Sequence, residues 1–256
     1  MKVYENYSKN NPAKNSDLEK SNNIQMFDSA MERKLVLPAI SPNDEIVKHL
    51  AYTLSYSRED MEPYWVAYRL TAWMVAGNEK RSGDFREDPL VHSGSALPED
   101  YKKSGYDRGH ICPAGDMRWS KEAMSETFYM SNMTPQDHGF NDGIWAHLEN
   151  KVRSWAKKYG EVFVVSGPIF KAPVKKIGKD KVSVPSYFYK VILAPEGNTY
   201  KGIAFIIPNK NLHESYFHYT VSIDSVEKAT SIDFFPLLPD TAEKRIESTY
   251  SLEQWR

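Results

Sequence analysis

One stretch of the chain has the pattern of a well-bounded amphipathic helix, NDGIWAHLENKVRSWAKKYG (141–160). It begins with Asn141 and Asp142, residue types that cap helix N-termini, and it ends at Gly160 after two lysines. At 100° per residue, its large apolar side chains fall on one stripe about 100° wide. That stripe consists of Ile144, Trp145, Leu148, Val152 and Trp155. The pattern predicts a helix whose apolar face is buried.

Three β-rich runs follow the helix, EVFVVSGPIF (161–170), VPSYFYKVILAP (184–195) and YKGIAFIIPN (200–209). Turn-forming and lysine-rich segments separate them, which is typical of antiparallel neighbours in one sheet. An earlier run, EPYWVAYRLTAWMV (62–75), favours a strand by its aromatic and β-branched content, although its apolar density also permits a buried helix. The segment SIDSVEKATSIDFFPLLP (222–239) is predicted to be helical up to its prolines.

The composition of the chain changes near residue 35. Residues 1–34 are rich in Asn, Lys and Ser and lack periodic apolar positions, so we predict a flexible polar lead-in there. Residues 35–256 contain no internal repeat. They are therefore predicted to form a single α+β domain with a central, mainly antiparallel sheet flanked by helices.

The charge balance limits which partners the whole surface can attract. The chain has 33 Lys and Arg against 34 Asp and Glu, so any binding of a polyanion requires a local basic patch. Its single cysteine cannot form an internal disulfide. No apolar run reaches the length of a membrane-spanning helix, so membrane insertion is not expected. The phosphate-binding loop, the dinucleotide glycine motif and the serine elbow are also missing from the sequence.

The motif YDRGHICPAGDM (106–117) concentrates ionisable groups around His110. A histidine with a pKa near ~6.5 can accept a proton from water at neutral pH. Taken alone, His110 could equally be a structural residue, with Asp107 and Arg108 forming an ordinary ion pair. Cys112 lies two residues from His110, but that spacing need not bring the sulfur to the ring nitrogen. The histidines lack the paired spacing of a zinc site.

A second pair of charged residues lies on the predicted helix. Glu149 and Arg153 are i,i+4 neighbours on the shoulder of the apolar stripe. By itself this pair is typical of a surface salt bridge that contributes a few tenths of a kcal/mol, on the order of 0.3–0.5. Neither motif identifies a function without the other.

Together, DRGHICPAGDM (107–117) and FYMSNMTPQDHGFNDGIWAHLENKVRSW (128–155) resemble the DNA/RNA non-specific endonuclease family, the sugar-non-specific nucleases with a ββα-metal active site. The family signature is Asp-Arg-Gly-His, then Ser-Asn-x-x-Pro-Gln, then an Asn that opens a helix carrying Glu and Arg. The matching positions in this chain are Asp107 to His110, Ser131 to Gln136, Asn141, Glu149 and Arg153. The resemblance extends over nearly all of the predicted domain and implies the ββα-metal nuclease fold.

The resemblance implies a metal-dependent reaction at a phosphodiester. His110 would be the general base that activates water, and Asn141 would be the one direct protein ligand of a divalent cation. Mg²⁺ is the expected ion, with Mn²⁺ or another divalent cation as alternatives. Mg²⁺ accepts this arrangement because it retains several waters in an octahedral oxygen shell. Glu149 would contact the ion through water, as outer ligands commonly do.

The remaining signature residues would support the reaction. Arg108 and Arg153 would supply fixed positive charge to the transition state. Asn132 resembles a family position that helps to organise the site, and Asp107 would orient the motif without taking part in the chemistry.

A further phosphate-contacting arginine is expected in the loop KRSGDFREDP (80–89), where both Arg81 and Arg86 are candidates and the family pattern favours Arg81. The lysines of KAPVKKIGKDK (171–181) could line a groove for a nucleic-acid backbone, or they could belong to a solvated turn between strands. Backbone contacts alone would produce cleavage with little sequence specificity.

The resemblance implies that DNA and RNA are the substrates, and it leaves a homodimer open. Many nucleases of this family are exported, so the expected location is secreted or periplasmic after removal of a signal, although the sequence contains no signal peptide. Two alternatives remain at this point. One is a catalytically weak nucleic-acid-binding module of the same fold, and the other is a phosphodiesterase with a narrower substrate.

Overall fold

A seven-stranded sheet forms the centre of residues 35–256, the part of the chain described by this computed structural model. The predicted lead-in, residues 1–34, lies outside the described residues. In chain order the strands are β1 (Glu45–Lys48), β2 (Thr53–Ser57), β3 (Glu62–Thr71), β4 (Asp107–His110), β5 (Met133–Gln136), β6 (Glu161–Ile169), β7 (Lys176–Ile177), β8 (Val182–Ser183), β9 (Tyr187–Glu196), β10 (Thr199–Pro208) and β11 (Thr220–Val221). The α-helices are α1 (Ala72–Val75), α2 (Lys121–Glu126), α3 (Ala146–Tyr159), α4 (Ile223–Thr230), α5 (Asp240–Ser248) and α6 (Leu252–Trp255).

The strand order of the central sheet is β1-β2-β3-β6-β9-β10-β11, and all neighbours in it are antiparallel. The three β-rich runs form β6, β9 and β10, which are adjacent as predicted. Residues 162–165 of β6 and 191–194 of β9 are fully buried. Such continuous apolar burial is expected when both faces of a strand are covered.

Helices cover the two faces of the sheet separately. Ile203 of β10 belongs to the apolar cluster that also contains Trp155 of α3. Its neighbour Gly202 points to the opposite face, because side chains alternate along a strand. A Cβ at Gly202 would lie 2.7 Å from Ile223 of α4 and 2.7 Å from Ile246 of α5. The sheet therefore separates α3 from the pair formed by α4 and α5.

The predicted helix is present, and its whole apolar stripe is buried. Its start differs from the prediction, because the regular helix α3 begins at Ala146. The preceding residues, Phe140–Trp145, form a wide turn in which Gly143 has non-helical dihedral angles. The helix ends before Gly160, whose φ of +86° suits glycine. Asn141 consequently lies in the turn and does not cap α3.

Two further elements end earlier than the sequence pattern indicates. The strand predicted over residues 62–75 stops at Thr71, whose hydroxyl accepts a hydrogen bond from the backbone of Met74 and caps the short helix α1. Helix α4 ends at Thr230, ahead of the prolines, because Ser231 adopts a left-handed conformation.

A separate two-stranded sheet carries the DRGH motif. Strand β4 pairs with β5 in antiparallel register, so that His110 lies opposite Met133 and Asp107 lies opposite Gln136. The wide turn and α3 follow β5 directly. This order of two strands and a helix produces a ββα unit at the edge of the molecule's core.

The glycine of this motif is required by packing, which a double-mutant cycle can test. A Cβ on Gly109 would clash with the side chain of Gln136. We expect Gly109→Ala to lower the free energy of unfolding in urea by about 1–3 kcal/mol, the usual cost of overpacking. In a Gln136→Ala background the same change should cost much less, because the space is then open. An equal cost in both backgrounds would contradict this explanation.

Candidate active site

His110 ends strand β4 inside an aromatic pocket. Its ring centroid lies 4.8 Å from that of Phe128 and 5.9 Å from that of Phe85. The residue is 8% exposed, and its Nε2 has no hydrogen-bond partner among the described residues. A buried, unpartnered ring nitrogen is costly unless a ligand or water completes it. Nε2 is therefore a candidate reacting atom.

The surroundings of His110 favour the neutral ring. Burial lowers its pKa to about 3, with the positive charges of Arg81 and Arg108 acting in the same direction. The imidazole is thus uncharged at neutral pH. The negative charge of a phosphate bound beside it would oppose the effect of the two arginines and favour the protonated ring that results when the imidazole accepts a proton.

Two arginines stand at this pocket with unused hydrogen-bond donors. The guanidinium of Arg81 lies 4.7 Å from the ring centre of Phe128, and that of Arg108 lies 4.1 Å from the ring centre of Phe85. Neither guanidinium donates a hydrogen bond to a described residue. Planar, unpaired guanidinium groups are well suited to bind a phosphate.

Arg86 occupies a different position from Arg81. Its Nη1 forms a 2.8 Å ion pair with Asp84 and also donates to the carbonyl of Ser125, and its guanidinium stacks 4.0 Å from the ring centre of Tyr129. Through these contacts, Arg86 holds its loop against α2 and the turn that follows α2. Of the two candidates, the structure brings Arg81 to His110.

Asn141 is held by the first residue of the DRGH motif. Its Nδ2 donates a 2.9 Å hydrogen bond to Oδ2 of Asp107, which also lies 2.9 Å from Nδ1 of His138. Because the amide nitrogen is used in this way, Oδ1 of Asn141 remains available as an oxygen ligand. The described structure records no contact between Asn141 and His110. Asp107, three residues before His110, links the two.

Arg153 is paired with an acid that the sequence analysis did not assign. Its Nη1 lies 2.6 Å from Oδ1 of the fully buried Asp116, while Nη2 donates to Oδ1 of Asn150 at 2.8 Å. The hydroxyl of Tyr68 donates to the other oxygen of Asp116 at 2.8 Å. Glu149 and Arg153 do not form the surface salt bridge that is typical of such a pair taken alone. Asp116 lies within the motif at residues 106–117, but its partner Arg153 lies on α3, which is distant in sequence.

Glu149 lies among these charges without a direct partner. Its carboxylate makes no hydrogen bond or ion pair with a described residue. Burial raises its pKa to about 7, against the lowering effect of Lys190, while Asp116 raises the pKa and Arg153 and Arg81 lower it. Arg81 thus acts on both Glu149 and His110. This carboxylate is available to water or to a cation.

Lys190 is the second charged residue that sequence reasoning missed. It is fully buried on β9, where Nζ donates a 2.7 Å hydrogen bond to Ser166 and lies 4.3 Å from the ring centre of Trp145. Burial lowers its pKa, and the nearby charge of Glu149 opposes that shift. A lysine inside the apolar run YFYKVILA was the available signal, since buried lysines are rarely without a partner.

Asn132 serves the backbone around the site. Its Oδ1 accepts a hydrogen bond from the amide of Cys112, and its Nδ2 donates to the carbonyls of Cys112 and Thr127. The side chain is fully buried and all three contacts are with the main chain. Asn132 consequently fixes the path of the chain just after His110 and does not face the pocket.

A cavity of about 380 Å³ adjoins Arg108 and extends the site along the surface. Its lining residues are Pro98, Glu99, Tyr101, Lys102, Tyr106, Asp107 and Arg108. Among the predicted groove lysines, Lys175 reaches this region, with Nζ 3.4 Å from the hydroxyl of Tyr106. Lys176 instead donates to the carbonyl of Glu59. Neighbouring lysines of this segment therefore point to different places, and Lys175 is the one that lies beside the cavity.

Comparison with known proteins agrees with this geometry. Residues 38–241 match the profile of the family described as DNA/RNA non-specific endonuclease. The chain belongs to the DNA/RNA non-specific endonuclease family. A mitochondrial EXOG nuclease from Danio rerio is 40% identical over 204 residues, covering 73% of this chain and 60% of that protein. Nuclease C1 from Cunninghamella echinulata var. echinulata is 40% identical over 212 residues, covering 76% and 84%. The chain thus spans about 60% of the length of the zebrafish relative.

The family's fold is confirmed by a solved structure. A chain in the crystal structure of an EndoG/EndoGI complex is 34% identical, with a TM-score of 0.76 over 82% of this chain and 92% of that one. The predicted α+β, ββα-metal nuclease fold is therefore correct. Families of this type generally depend on a divalent cation.

Within residues 35–256, we find no helix with both the length and the apolar content for crossing a bilayer.

The expected secreted or periplasmic location is wrong. Several relatives of this chain, including the zebrafish protein, are named as mitochondrial nucleases. Export was expected only because many nucleases of this family are exported. The family also includes nucleases that are named as mitochondrial. The names point to mitochondria instead.

The low pKa of His110 predicts how stability depends on pH. Below pH ~6.5 the unfolded chain binds a proton at this residue, whereas the folded chain binds it only near pH 3. Stability should therefore fall as the pH decreases from about 6.5 to 3. At pH 5, His110→Gln should reduce the slope of unfolding free energy against pH by about 1.4 kcal/mol per pH unit. Urea denaturation measures it, with the exposed His147→Gln as the control. Equal slopes in wild type and His110→Gln would refute the assignment.

Proposed function

We propose that this protein is a metal-dependent endonuclease that hydrolyses phosphodiester bonds in DNA and RNA with little sequence specificity. The observation that carries this proposal is the neutral, buried His110, whose unpartnered Nε2 lies near two arginines with unused donors. Such an arrangement offers a base and a phosphate site in the same pocket. Membership of the endonuclease family supports the same reaction class.

The donor groups fit a hard divalent cation. Oδ1 of Asn141 is left available by the hydrogen bond to Asp107, and the carboxylate of Glu149 has no direct partner among the described residues. Oxygen donors of this kind suit Mg²⁺, with Mn²⁺ or another divalent ion as an alternative. Asn141 would be the direct ligand and Glu149 would act through water. When bound, the cation would polarise the phosphate and offset charge on the leaving oxygen.

The chain's own residues then divide the remaining tasks. His110 takes the proton of the attacking water at Nε2, since its ring is neutral and this nitrogen has no hydrogen-bond partner among the described residues. Arg81 and Arg108 bind the phosphate oxygens and hold the phosphorus in line for attack. Arg153 supplies positive charge from a position that Asp116 fixes. Asp107 orients Asn141, and Asn132 holds the segment after His110.

The proposed lack of sequence specificity follows from the contacts available. Arg81, Arg108 and Lys175 offer positive charge to a sugar-phosphate backbone, which is the same in every sequence. Binding through such contacts should weaken steeply as salt increases. The homodimer stays a prediction.

A nuclease assay distinguishes this proposal from its alternatives. Plasmid DNA and RNA should both be degraded in Mg²⁺, and EDTA should abolish the activity. His110→Ala should reduce the rate at least about 100-fold, the usual effect of removing a general base. The control is His147→Ala, which removes an exposed histidine of α3 and should retain activity. Binding without cleavage would favour the weak binding module, and cleavage of only one small substrate class would favour the narrower phosphodiesterase.

The role of Asp107 can be measured through the cation. Without its carboxylate, the amide of Asn141 is free to rotate and Oδ1 is no longer fixed. Asp107→Ala should raise the Mg²⁺ concentration for half-maximal activity about 10- to 100-fold, as is typical for residues that orient ligands. His138→Ala should have a smaller effect, because the His138 side chain is 79% exposed. An unchanged Mg²⁺ requirement in Asp107→Ala would show that Asn141 is oriented by something else.

A further inference from the structure

Five carboxylates gather on the side of the sheet opposite α3. Asp224 and Glu227 project from α4, Glu243 and Glu247 project from α5, and Asp233 lies in the segment between the helices. Spacings of three and four residues place each helical pair on one face of its helix. We call this group the α4–α5 acidic cluster. Neither the DRGH motif nor α3 contributes to it.

The oxygens of this cluster are close enough to share an ion. One carboxylate oxygen from each of Asp224, Glu227 and Glu247 lies within 4.8 Å of the other two. The same is true of Asp233, Glu243 and Glu247. Glu247 is common to both groups, so it lies at the centre of the cluster.

Glu247 also has a buried acceptor without a partner. The residue is 8% exposed, and its Oε1 is buried with no hydrogen bond to any described residue. Leaving a carboxylate oxygen buried and unpaired costs free energy unless a ligand completes it. Since the oxygens of Glu247 belong to both ligand groups, this side chain is directed into the cluster and not away from it.

The described residues supply no positively charged partner to the cluster. None of the five carboxylates forms an ion pair within the part of the chain that the structure describes. Glu227 accepts one backbone hydrogen bond, from Phe234 at 2.9 Å. Burial raises the pKa of Glu247 to about 8, and the charges of Glu227, Glu243, Asp224 and Asp233 add to that shift. Burial likewise raises the pKa of Glu227 and of Glu243.

We propose that the α4–α5 acidic cluster binds one Ca²⁺ ion, with Glu247 as the central ligand. The donors are all carboxylate oxygens, which hard cations prefer. Ca²⁺ accepts about six to eight oxygen ligands in a flexible geometry, which suits carboxylates carried by two helices and the segment between them. Mg²⁺ requires a near-ideal octahedron and usually retains several waters, so the cluster fits Ca²⁺ with less rearrangement.

The position of this site defines what the ion would do. Ile223 and Ile246, which contact the position of Gly202 on β10, are the sequence neighbours of Asp224 and Glu247. An ion shared by the cluster would therefore tie α4 to α5 directly above their contact with the sheet. It would stabilise the fold without entering the pocket of His110.

Calorimetry on the full 256-residue chain tests this proposal. An Asn141→Ala background removes the direct ligand of the other proposed cation site. CaCl₂ titrated into this protein should bind with a stoichiometry of one and a dissociation constant of about 1 mM or below. Glu247→Gln should weaken binding at least about 10-fold, since it removes the shared carboxylate. The matched control is Glu253→Gln, an exposed glutamate on α6, which should bind Ca²⁺ as the background does.

Thermal unfolding provides the second measurement. Saturating Ca²⁺ should raise the Tm by on the order of 5 °C in the background protein and by much less in Glu247→Gln. In EDTA, Glu247→Gln should be as stable as the background or more stable, because it removes an ionisable group whose charged form is disfavoured by burial and by the neighbouring carboxylates. The exposed Asp224→Asn and Asp233→Asn variants each alter one of the two ligand groups, so they report on the site even if Glu247→Gln folds poorly.

Three results would overturn the proposal. The first is no heat of binding with Ca²⁺ at about 10 mM, well above the range of protein calcium sites. The second is unchanged Ca²⁺ affinity in Glu247→Gln, or in both Asp224→Asn and Asp233→Asn. The third is Mg²⁺ binding as tight as Ca²⁺ binding, which would remove the argument from ligand number and flexible geometry.

Discussion

The hydrogen bond between Asp107 and Asn141 is the contact on which the arrangement of the site depends. Asp107 begins β4, which ends at His110, and Asn141 lies in the wide turn that leads into α3. One 2.9 Å contact therefore joins the strand that carries His110 to the segment leading into the helix that carries Glu149 and Arg153. Since the bond uses the amide nitrogen, it also determines which atom of Asn141 is offered to a cation.

The site also depends on buried charged side chains that have partners inside the protein. Asp116 is fully buried between Arg153 and Tyr68, and Lys190 is fully buried against Ser166 and Trp145. Buried charges are tolerated only with such partners, and losing one partner leaves a costly unpaired charge. Glu149 is the carboxylate that these pairs leave without a direct contact. This leaves it available, while its neighbours are held rigidly.

The central sheet separates two regions with different chemistry. On the side of α3 it supports the neutral histidine, the free arginines and the available oxygens of Asn141 and Glu149. On the other side, α4 and α5 pack at Gly202 and carry the acidic cluster centred on Glu247. Strand alternation makes this separation possible, since adjacent residues of one strand face opposite layers. A cation at the second region would therefore affect stability more directly than the reaction.

Local patterns in the sequence determined the apolar stripe of α3 and the adjacency of β6, β9 and β10, because period and composition act over short distances. They could not determine that Arg153 pairs with Asp116 rather than Glu149, or that Asn141 holds Asp107 rather than capping a helix. The family pattern already favoured Arg81 over Arg86, whereas the partners of Arg86 and the burial of Lys190 were decided by the tertiary structure. Charged and amide groups take the partner that lies nearest in space and is most shielded from water, and the folded chain alone brings residues 37 or 34 positions apart into contact.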